Sequence, residues 1–251
     1  MAEGDIAIWF KGIPIVTRVW FSLCVLFPLA GRIGLLNPLY MILEYGLVVY
    51  RFQIWRLLTC AVFYVISPAT GFHYLMNLYF LYSYSRRLES GVFDGRSADY
   101  LFMVLIHWAI LLVLGLLVGL WLLMDSLVMS VIYVWCQLNQ DVIMQFWFGM
   151  QFKAMYFPWV LTIFGMVLRG GGVEELLGIF TGHAYFFLMF KYPQDFGGRA
   201  FLSTPQFLYK WLPNRRTIGG FGQAPISRRQ DPSANVGGGR HDWGQGNVLG
   251  D

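Results

Sequence analysis

Long apolar stretches alternate with short polar interruptions along most of the chain. The clearest stretch, residues 100–123, has 24 positions without a charged side chain, and about 20 apolar residues are enough for a helix to cross a bilayer. Similar but shorter stretches cover residues 19–36, 68–84, 126–138, 154–168 and 173–190. The pattern predicts an all-α membrane protein with six transmembrane helices, called spans 1 to 6 in chain order.

The segments between the spans are polar, aromatic or both. Residues 1–18 mix charged and apolar positions, which is typical of an amphipathic segment at a membrane surface. Residues 37–66 are aromatic but carry several polar side chains, which predicts a re-entrant or interfacial element. We expect polar loops over residues 85–99 and 139–153, and a tight turn at Asp125.

Span 4 is too short to cross a bilayer of ordinary thickness. Its 13 residues rise about 20 Å as a helix, against a hydrocarbon core of about 30 Å. We therefore expect either that neighbouring helices shield this span or that the bilayer thins around it.

The composition changes after span 6. The last 35 residues, 217–251, hold nine of the 28 glycines and only nine apolar residues, too few to form a core, which predicts a disordered tail. The chain thus divides into an N-terminal segment (1–18), a six-span domain (19–190) and a C-terminal tail (191–251).

The positions of the cations predict the orientation. If there are six spans, both termini lie on one side of the membrane, together with fourteen of the 18 lysines and arginines. Because positively charged loops face the cytosol, we expect the N-terminal segment and the tail to be cytosolic.

The overall composition excludes several classes of protein. Apolar residues make up 57% and charged residues 13% of the chain, whereas soluble domains are about 45–50% apolar and about 25% charged. Long stretches without a cation argue against nucleic-acid binding. The three cysteines show no metal-binding or disulfide spacing, so we expect buried free thiols, no metal and no cofactor.

Three short motifs occur one after another along the chain, and their order is informative. Trp55-Arg56 lies between spans 1 and 2, His73-x-x-x-Asn77 lies in span 2, and Gly178-x-x-x-Gly182 lies in span 6. Two glycines four residues apart allow a neighbouring helix to approach closely. The order resembles the rhomboid superfamily, in which a Trp-Arg pair lies in the first membrane-embedded loop and the glycine pair packs span 6 against span 4.

The resemblance also shows that the catalytic pair is missing. Rhomboid proteases carry their serine in a Gly-x-Ser-Gly motif on span 4, and alignment on Tyr133 places that position at Met129, with Ser130 one residue away. Their histidine lies three residues before the first glycine of the pair, which is Glu175 here. His73 and Asn77 match the oxyanion side, but without a nucleophile and a base we expect no protease.

Longer blocks narrow the resemblance to the derlin family of inactive rhomboids. These blocks are YRFQIWR from residue 50, NLYFLY from residue 77, FDGR from residue 93 and FLSTPQF from residue 201. The resemblance implies a rhomboid-like six-helix bundle in the endoplasmic reticulum, which helps to move misfolded proteins to the cytosol for degradation and works with a ubiquitin-ligase complex.

The tail contains a motif of its own. The sequence WGQGNVLG, residues 243–250, is similar to the box by which derlins bind a valosin-containing-protein-type AAA ATPase. In that reading Trp243 and Leu249 are apolar anchors, while Gly244, Gly246 and Gly250 let the backbone lie flat, as an added strand would.

Two other functions stay open from the residues alone: an active intramembrane serine protease, and a transporter or channel for small solutes. The second should show repeated halves with broken helices, which this sequence lacks. We expect a homo-oligomer, because a single six-helix unit is narrow for a polypeptide conduit.

Overall fold

The computed structural model describes residues 2–145, 149–196 and 204–212. These residues are almost entirely helical, with one two-stranded antiparallel hairpin. The hairpin pairs β1 (Ile143–Gln145) with β2 (Gln151–Lys153). The helices are α1 (Ala2–Lys11), α2 (Ile15–Arg32), α3 (Tyr45–Arg51), α4 (Trp55–Thr59), α5 (Gly71–Arg87), α6 (Ser97–Val118), α7 (Met124–Leu138), α8 (Phe157–Arg169), α9 (Val173–Phe186), α10 (Tyr192–Phe196) and α11 (Gln206–Trp211).

Three helices in the described residues have the length and composition needed to cross a membrane. They are α2, α6 and the stretch Val173–Lys191, which joins α9 to a π-helical turn. The helix α7 and the stretch Ala154–Val167 are apolar but shorter. The chain is therefore a helical membrane bundle, as the apolar stretches predict, while the count of six spans stays a prediction.

The helix α7 lies at the centre of the bundle. Every residue from Met124 to Cys136 is buried, and the helix packs against α5, α6, α8 and α9. Neighbouring helices surround α7, so they shield a helix that is too short to cross the bilayer alone. The predicted tight turn at Asp125 is wrong, because this residue lies in the first turn of α7 with its side chain buried.

The helix α9 approaches α7 closely at two glycines. A Cβ atom added at Gly178 would lie 2.5 Å from the Ser126 carbonyl oxygen and 2.6 Å from the Met129 Cβ. A Cβ atom added at Gly182 would lie 2.7 Å from the Ser130 carbonyl oxygen. Only glycine permits this approach, and the resulting van der Waals contact is what holds helices together in lipid, where no hydrophobic force drives association.

A carboxylate just after the end of α5 binds the N-terminus of α2. Glu89 lies in the π-helical turn that follows α5 and is buried. Its carboxylate accepts hydrogen bonds from the backbone N–H groups of Val16 (3.0 Å) and Thr17 (2.8 Å). A carboxylate at a helix N-terminus satisfies free N–H groups and interacts favourably with the helix dipole. The helix accordingly begins at Ile15 and not at residue 19, where the apolar pattern starts span 1.

The predicted polar loop over residues 85–99 is wrong for most of its length. The helix α5 continues to Arg87, a π-helical turn follows, and α6 already begins at Ser97. Ser85 is buried, and its hydroxyl lies 2.6 Å from that of Tyr100. A polar side chain of this segment thus forms a hydrogen bond inside the bundle instead of facing water, and the sequence of the segment does not reveal that partner.

Residues 37–66 form a folded element that contains α3 and α4. The N–H of Leu43 donates to the Trp121 carbonyl, and the N–H of Leu123 donates to the Cys60 carbonyl, each at 2.8 Å. The element is thereby fastened to the connection between α6 and α7, while its depth in a membrane stays a prediction.

The second predicted loop, residues 139–153, is also partly wrong because it contains the β1–β2 hairpin. Met144 and Phe152 face each other across the two strands. At the base of the hairpin, the Lys153 ammonium donates to the Asp141 carboxylate at 2.9 Å, and this hydrogen bond raises the pKa of Lys153.

Residues 204–212 pack back onto the start of α6. Asp99 is buried there and accepts hydrogen bonds from the hydroxyls of Thr204 (2.8 Å) and Tyr209 (2.7 Å), while Leu208 joins a small apolar cluster on α6. Burial and the hydrogen bond to Asp99 raise the pKa of Tyr209, so its hydroxyl remains a donor at neutral pH. Residues 204–212, which lie in the predicted tail before the part expected to be disordered from residue 217, therefore pack onto the bundle.

The cysteines behave as the sequence predicts. Cys24, Cys60 and Cys136 are all buried free thiols.

Replacing Gly178 by leucine should destabilise the bundle, because the new side chain would meet the Ser126 carbonyl and Met129. Overpacking of this kind costs about 1–3 kcal/mol or more, so we expect a lower melting temperature in detergent. Gly71→Leu is the matched control, because a Cβ atom at Gly71 meets nothing within 4 Å. Equal losses in the two variants would contradict the close contact of α7 with α9.

Replacing Glu89 by alanine should lower the free energy of unfolding by about 2–3 kcal/mol, because it leaves buried N–H groups at the start of α2 without an acceptor. Asp141→Ala serves as the control, since it removes only an exposed ion pair and should cost less than about 1 kcal/mol. Thermal unfolding in one detergent compares the two. An unaltered melting temperature for Glu89→Ala would show that the carboxylate does not hold α2.

Candidate functional site

Four helices line a small, partly open cavity of about 20 Å³, a volume that has room for about one water molecule. His73 and Asn77 line it from α5, Met129 from α7 and Glu175 from α9. These are the residues that the rhomboid resemblance aligns with the oxyanion side, the nucleophile and the base. The fold therefore brings together positions that lie more than 100 residues apart in the chain, and it adds Asp125 to them.

Asp125 is the centre of the polar contacts in this cavity. The Asn77 side-chain amide donates to one oxygen of its carboxylate, and His73 Nδ1 lies 3.8 Å from the other. The Tyr64 hydroxyl lies 3.1 Å from the same histidine nitrogen. A carboxylate buried at low dielectric is costly unless it is paired and hydrogen-bonded, and these neighbours supply that pairing. We call Tyr64, His73, Asn77 and Asp125 the Asp125 cluster.

Glu175 occupies another wall of the cavity, where it is buried. A Cβ atom added at Gly165 would lie 2.6 Å from Glu175 Oε1, so the missing side chain on α8 leaves room for the carboxylate. The position that aligns with the catalytic histidine thus holds an acidic side chain seated against a neighbouring backbone.

Met129, which the rhomboid resemblance aligns with the nucleophile, has no group that can perform acyl transfer. Nucleophilic catalysis needs a hydroxyl or thiol within hydrogen-bond reach of a base, and Met129 offers a thioether. Ser130 is one residue further along α7, a rotation of about 100°, and lies outside the residues that line the cavity. Its hydroxyl lies 2.7 Å from the Leu127 carbonyl oxygen and 2.9 Å from His107 Nδ1.

The contact between Ser130 and His107 was not predicted from the sequence. Both side chains are fully buried, and His107 is the one histidine in the long apolar run of α6. A polar side chain in such a run needs a partner on another helix, which signals that His107 has a partner but does not identify Ser130. On α9, His183 Nδ1 lies 2.7 Å from the Tyr133 hydroxyl.

The Trp-Arg motif has a structural use in the segment between α2 and α5. Arg56 is 2% exposed, and its guanidinium donates to the carbonyl oxygens of Leu39 (2.7 Å) and Ile42 (2.8 Å) and to Gln53 Oε1 (2.7 Å). Arginine suits this use because its planar group presents several donors at once. Trp55, in contrast, is 48% exposed.

The tail box, residues 243–250, lies outside the described residues, as does the whole segment from residue 213 onwards. Within the ranges that the structure describes, no group of three His, Cys, Asp or Glu side chains is arranged to hold a metal ion.

Comparison with known proteins identifies the family of this chain. The model of the Der1-like family matches residues 13–206, a range that includes the cavity and the segment that Arg56 holds. The chain belongs to the Der1-like family. The derlin resemblance drawn from the short blocks is thereby confirmed.

Relatives within the Der1-like family match over nearly all of the chain. Derlin-1 of Homo sapiens is 55% identical over 249 residues, which is 99% of each chain. Derlin-1 of Caenorhabditis elegans is 50% identical over 210 residues, 84% of this chain and 85% of the relative. Derlin-1 of Drosophila melanogaster is 37% identical over 247 residues, 98% and 99% of the two chains.

A fluorophosphonate probe for active serines should leave the purified protein unlabelled, because Ser130 is buried and its hydroxyl is engaged by the Leu127 carbonyl and His107. An active intramembrane rhomboid protease, reconstituted in the same detergent, is the positive control. Labelling of this chain that disappears in Ser130→Ala would contradict the assignment and restore the protease reading.

Proposed function

We propose that this chain is a non-catalytic factor of endoplasmic-reticulum-associated degradation, which helps misfolded proteins to return to the cytosol. Membership of the Der1-like family and similarity to proteins named Derlin-1 support this proposal. The occupants of the cavity support it too, because the rhomboid resemblance aligns Met129 and Glu175 with the serine and the histidine of a protease.

In this proposal the protein is a multi-pass protein of the endoplasmic reticulum membrane, with six spans and both termini in the cytosol. The distribution of lysine and arginine supports the orientation, since most of them lie in the segments assigned to one side. The helices between those segments are mostly apolar.

The short central helices are the observation that carries the proposed mechanism. The 15 residues of α7 rise about 22 Å and the 13 residues of α8 about 20 Å, against a hydrocarbon core of about 30 Å. Because neighbouring helices shield α7, it is α8 that meets the lipid, with Ile163 and Val167 exposed, and a bilayer that thins to match α8 presents a shorter barrier to a passing chain. Each unsatisfied backbone group in hydrocarbon costs several kcal/mol, so thinning lowers the barrier considerably.

The energy for extraction comes, in this proposal, from a partner in the cytosol. The box at residues 243–250 recruits a valosin-containing-protein-type AAA ATPase, and the tail raises the effective concentration of that ATPase near the emerging substrate. A ubiquitin-ligase complex marks the substrate, and a homo-oligomer of this chain widens the path. The helical bundle itself provides the path across the membrane and supplies no energy for extracting the substrate.

The two alternative functions are supported less well. Proteolysis lacks a nucleophile at position 129, and transport of small solutes would call for repeated halves, which the sequence does not show.

Replacing Trp243 and Leu249 together by alanine should abolish recruitment of the ATPase. Buried apolar anchors contribute about 2 kcal/mol or more each, so we expect at least a tenfold loss in pull-down from detergent-solubilised membranes. The matched control, His241→Ala with Gln245→Ala, changes the same segment without touching the anchors and should bind normally. Equal recruitment by both double variants would refute the assignment of the box.

The turnover of a misfolded membrane protein, followed by pulse-chase in cells that lack the chain, tests the function as a whole. Wild type and Ser130→Ala should restore turnover alike, whereas the Trp243/Leu249 variant should not. Failure of the wild type to restore turnover would remove the proposed function even if the ATPase still binds.

A further inference from the structure

The short helix α11 presents three different sides. Leu208 is buried against the bundle. Phe207 and Trp211, which lie four positions apart and therefore on the same side of the helix, are 60% and 85% exposed. Gln206 and Lys210, also four positions apart, are exposed on a third side. One side of α11 thus faces protein, one is apolar and exposed, and one is polar and exposed.

Hydrogen bonds and apolar contacts fix the buried side of α11 against the first turns of α6. The Asp99 carboxylate accepts hydrogen bonds from the hydroxyls of Thr204, just before α11, and of Tyr209 within it. Leu208 forms an apolar cluster with Ala98 and Phe102 of α6. These contacts set both the position and the rotation of α11, so they also determine the direction of its exposed apolar side.

The depth of α11 relative to a bilayer follows from its position on α6. The helix α6 has the length and composition needed to cross a membrane. Asp99 is the last charged residue before the uncharged stretch 100–123, so the hydrocarbon begins within about one helical turn of it. Phe102 is three residues further on, a rise of about 4–5 Å. The contacts with Asp99 and Phe102 therefore hold α11 at the boundary between headgroups and acyl chains, the depth that interfacial helices occupy.

At that depth the exposed apolar side of α11 meets lipid. Tryptophan is enriched at membrane–water interfaces, because its ring is apolar while its N–H can donate a hydrogen bond. Phe207 and Trp211 suit this layer, and the adjoining side with Gln206 and Lys210 suits the hydrated outer part of the headgroup region. A cytosolic protein that covered Trp211 would have to reach below the headgroups, so the bilayer is the favoured occupant.

We propose that α11 is an interfacial anchor that binds the bilayer surface, with Phe207 and Trp211 inserted among the glycerol and upper acyl groups. The anchor fastens the start of the C-terminal tail to the membrane beside α6. It rests on the membrane position of α6 and on none of the steps of the function proposed above, so the two proposals can fail separately.

Depth-resolved fluorescence quenching of the full-length protein in phosphatidylcholine nanodiscs tests the anchor. Trp211→Cys and Lys210→Cys, about 100° apart on the helix, are each labelled with the fluorophore NBD. The native thiols Cys24, Cys60 and Cys136 are buried, and wild type treated with the label gives their background. We expect a lipid with a spin label near the top of its acyl chain to quench the probe at 211 at least threefold more than the probe at 210, and iodide in the water to show the reverse preference.

A second experiment uses no label. Phe207→Ser combined with Trp211→Ser should raise the hydrogen-exchange rate of the amides in residues 206–212 at least tenfold in nanodiscs, because the helix loses its lipid contacts. Gln206→Ser combined with Lys210→Ser is the matched control, since it changes two residues on the polar side of the same helix, and its exchange should stay within about twofold of wild type. Size exclusion first confirms that each variant is folded.

Three results would overturn the proposal: equal quenching of the two labelled positions by the lipid spin label, iodide quenching that favours position 211, or equal exchange rates in the two double variants. A probe at 211 that neither quencher reaches would show that protein covers this side of α11, and it would refute the anchor as well.

Discussion

Two glycines on α9 determine how near that helix comes to α7, and the cavity depends on this distance. With any larger residue at Gly178 or Gly182, the Ser126 and Ser130 carbonyls would push the helices apart. Met129 and Glu175 would then no longer close around the space that His73 and Asn77 line. Because lipid offers no hydrophobic force between helices, backbone proximity itself supplies the attraction.

Buried polar side chains fasten the remaining elements to this pair of helices. The Glu89 carboxylate accepts hydrogen bonds from N–H groups at the start of α2, and the Arg56 guanidinium donates to carbonyl oxygens of the segment before α4. The Asp99 carboxylate accepts hydrogen bonds from side chains of residues 204–212. Each of these charges meets hydrogen-bonding groups from another part of the chain, as a medium of low dielectric demands. Short helices and irregular segments can therefore stay ordered where water cannot satisfy their backbone groups.

An open apolar groove along the outer face of α5, lined by Leu75 and Tyr79, lies beside the polar cavity. Met76 and Phe80 line both, so two side chains separate the face of α5 that lipid can reach from the Asp125 cluster. The bundle thus keeps a polar interior beside an apolar groove. That arrangement suits a protein that handles other membrane chains without cutting them, the role proposed here.

The sequence alone determined the class of protein, the rough positions of its apolar helices, the free thiols and the family, because hydropathy and short motifs are local properties of the chain. Only the tertiary structure decided what the polar residues do. Asp125 was predicted to mark a turn, but its carboxylate lies at the centre of a buried polar cluster. The segment 85–99 was predicted to be a loop, but most of it is helical. Ser130 lies within hydrogen-bond distance of His107 on α6. The partner of a buried polar group lies on a helix distant in sequence, and packing chooses it, so no local pattern can reveal it.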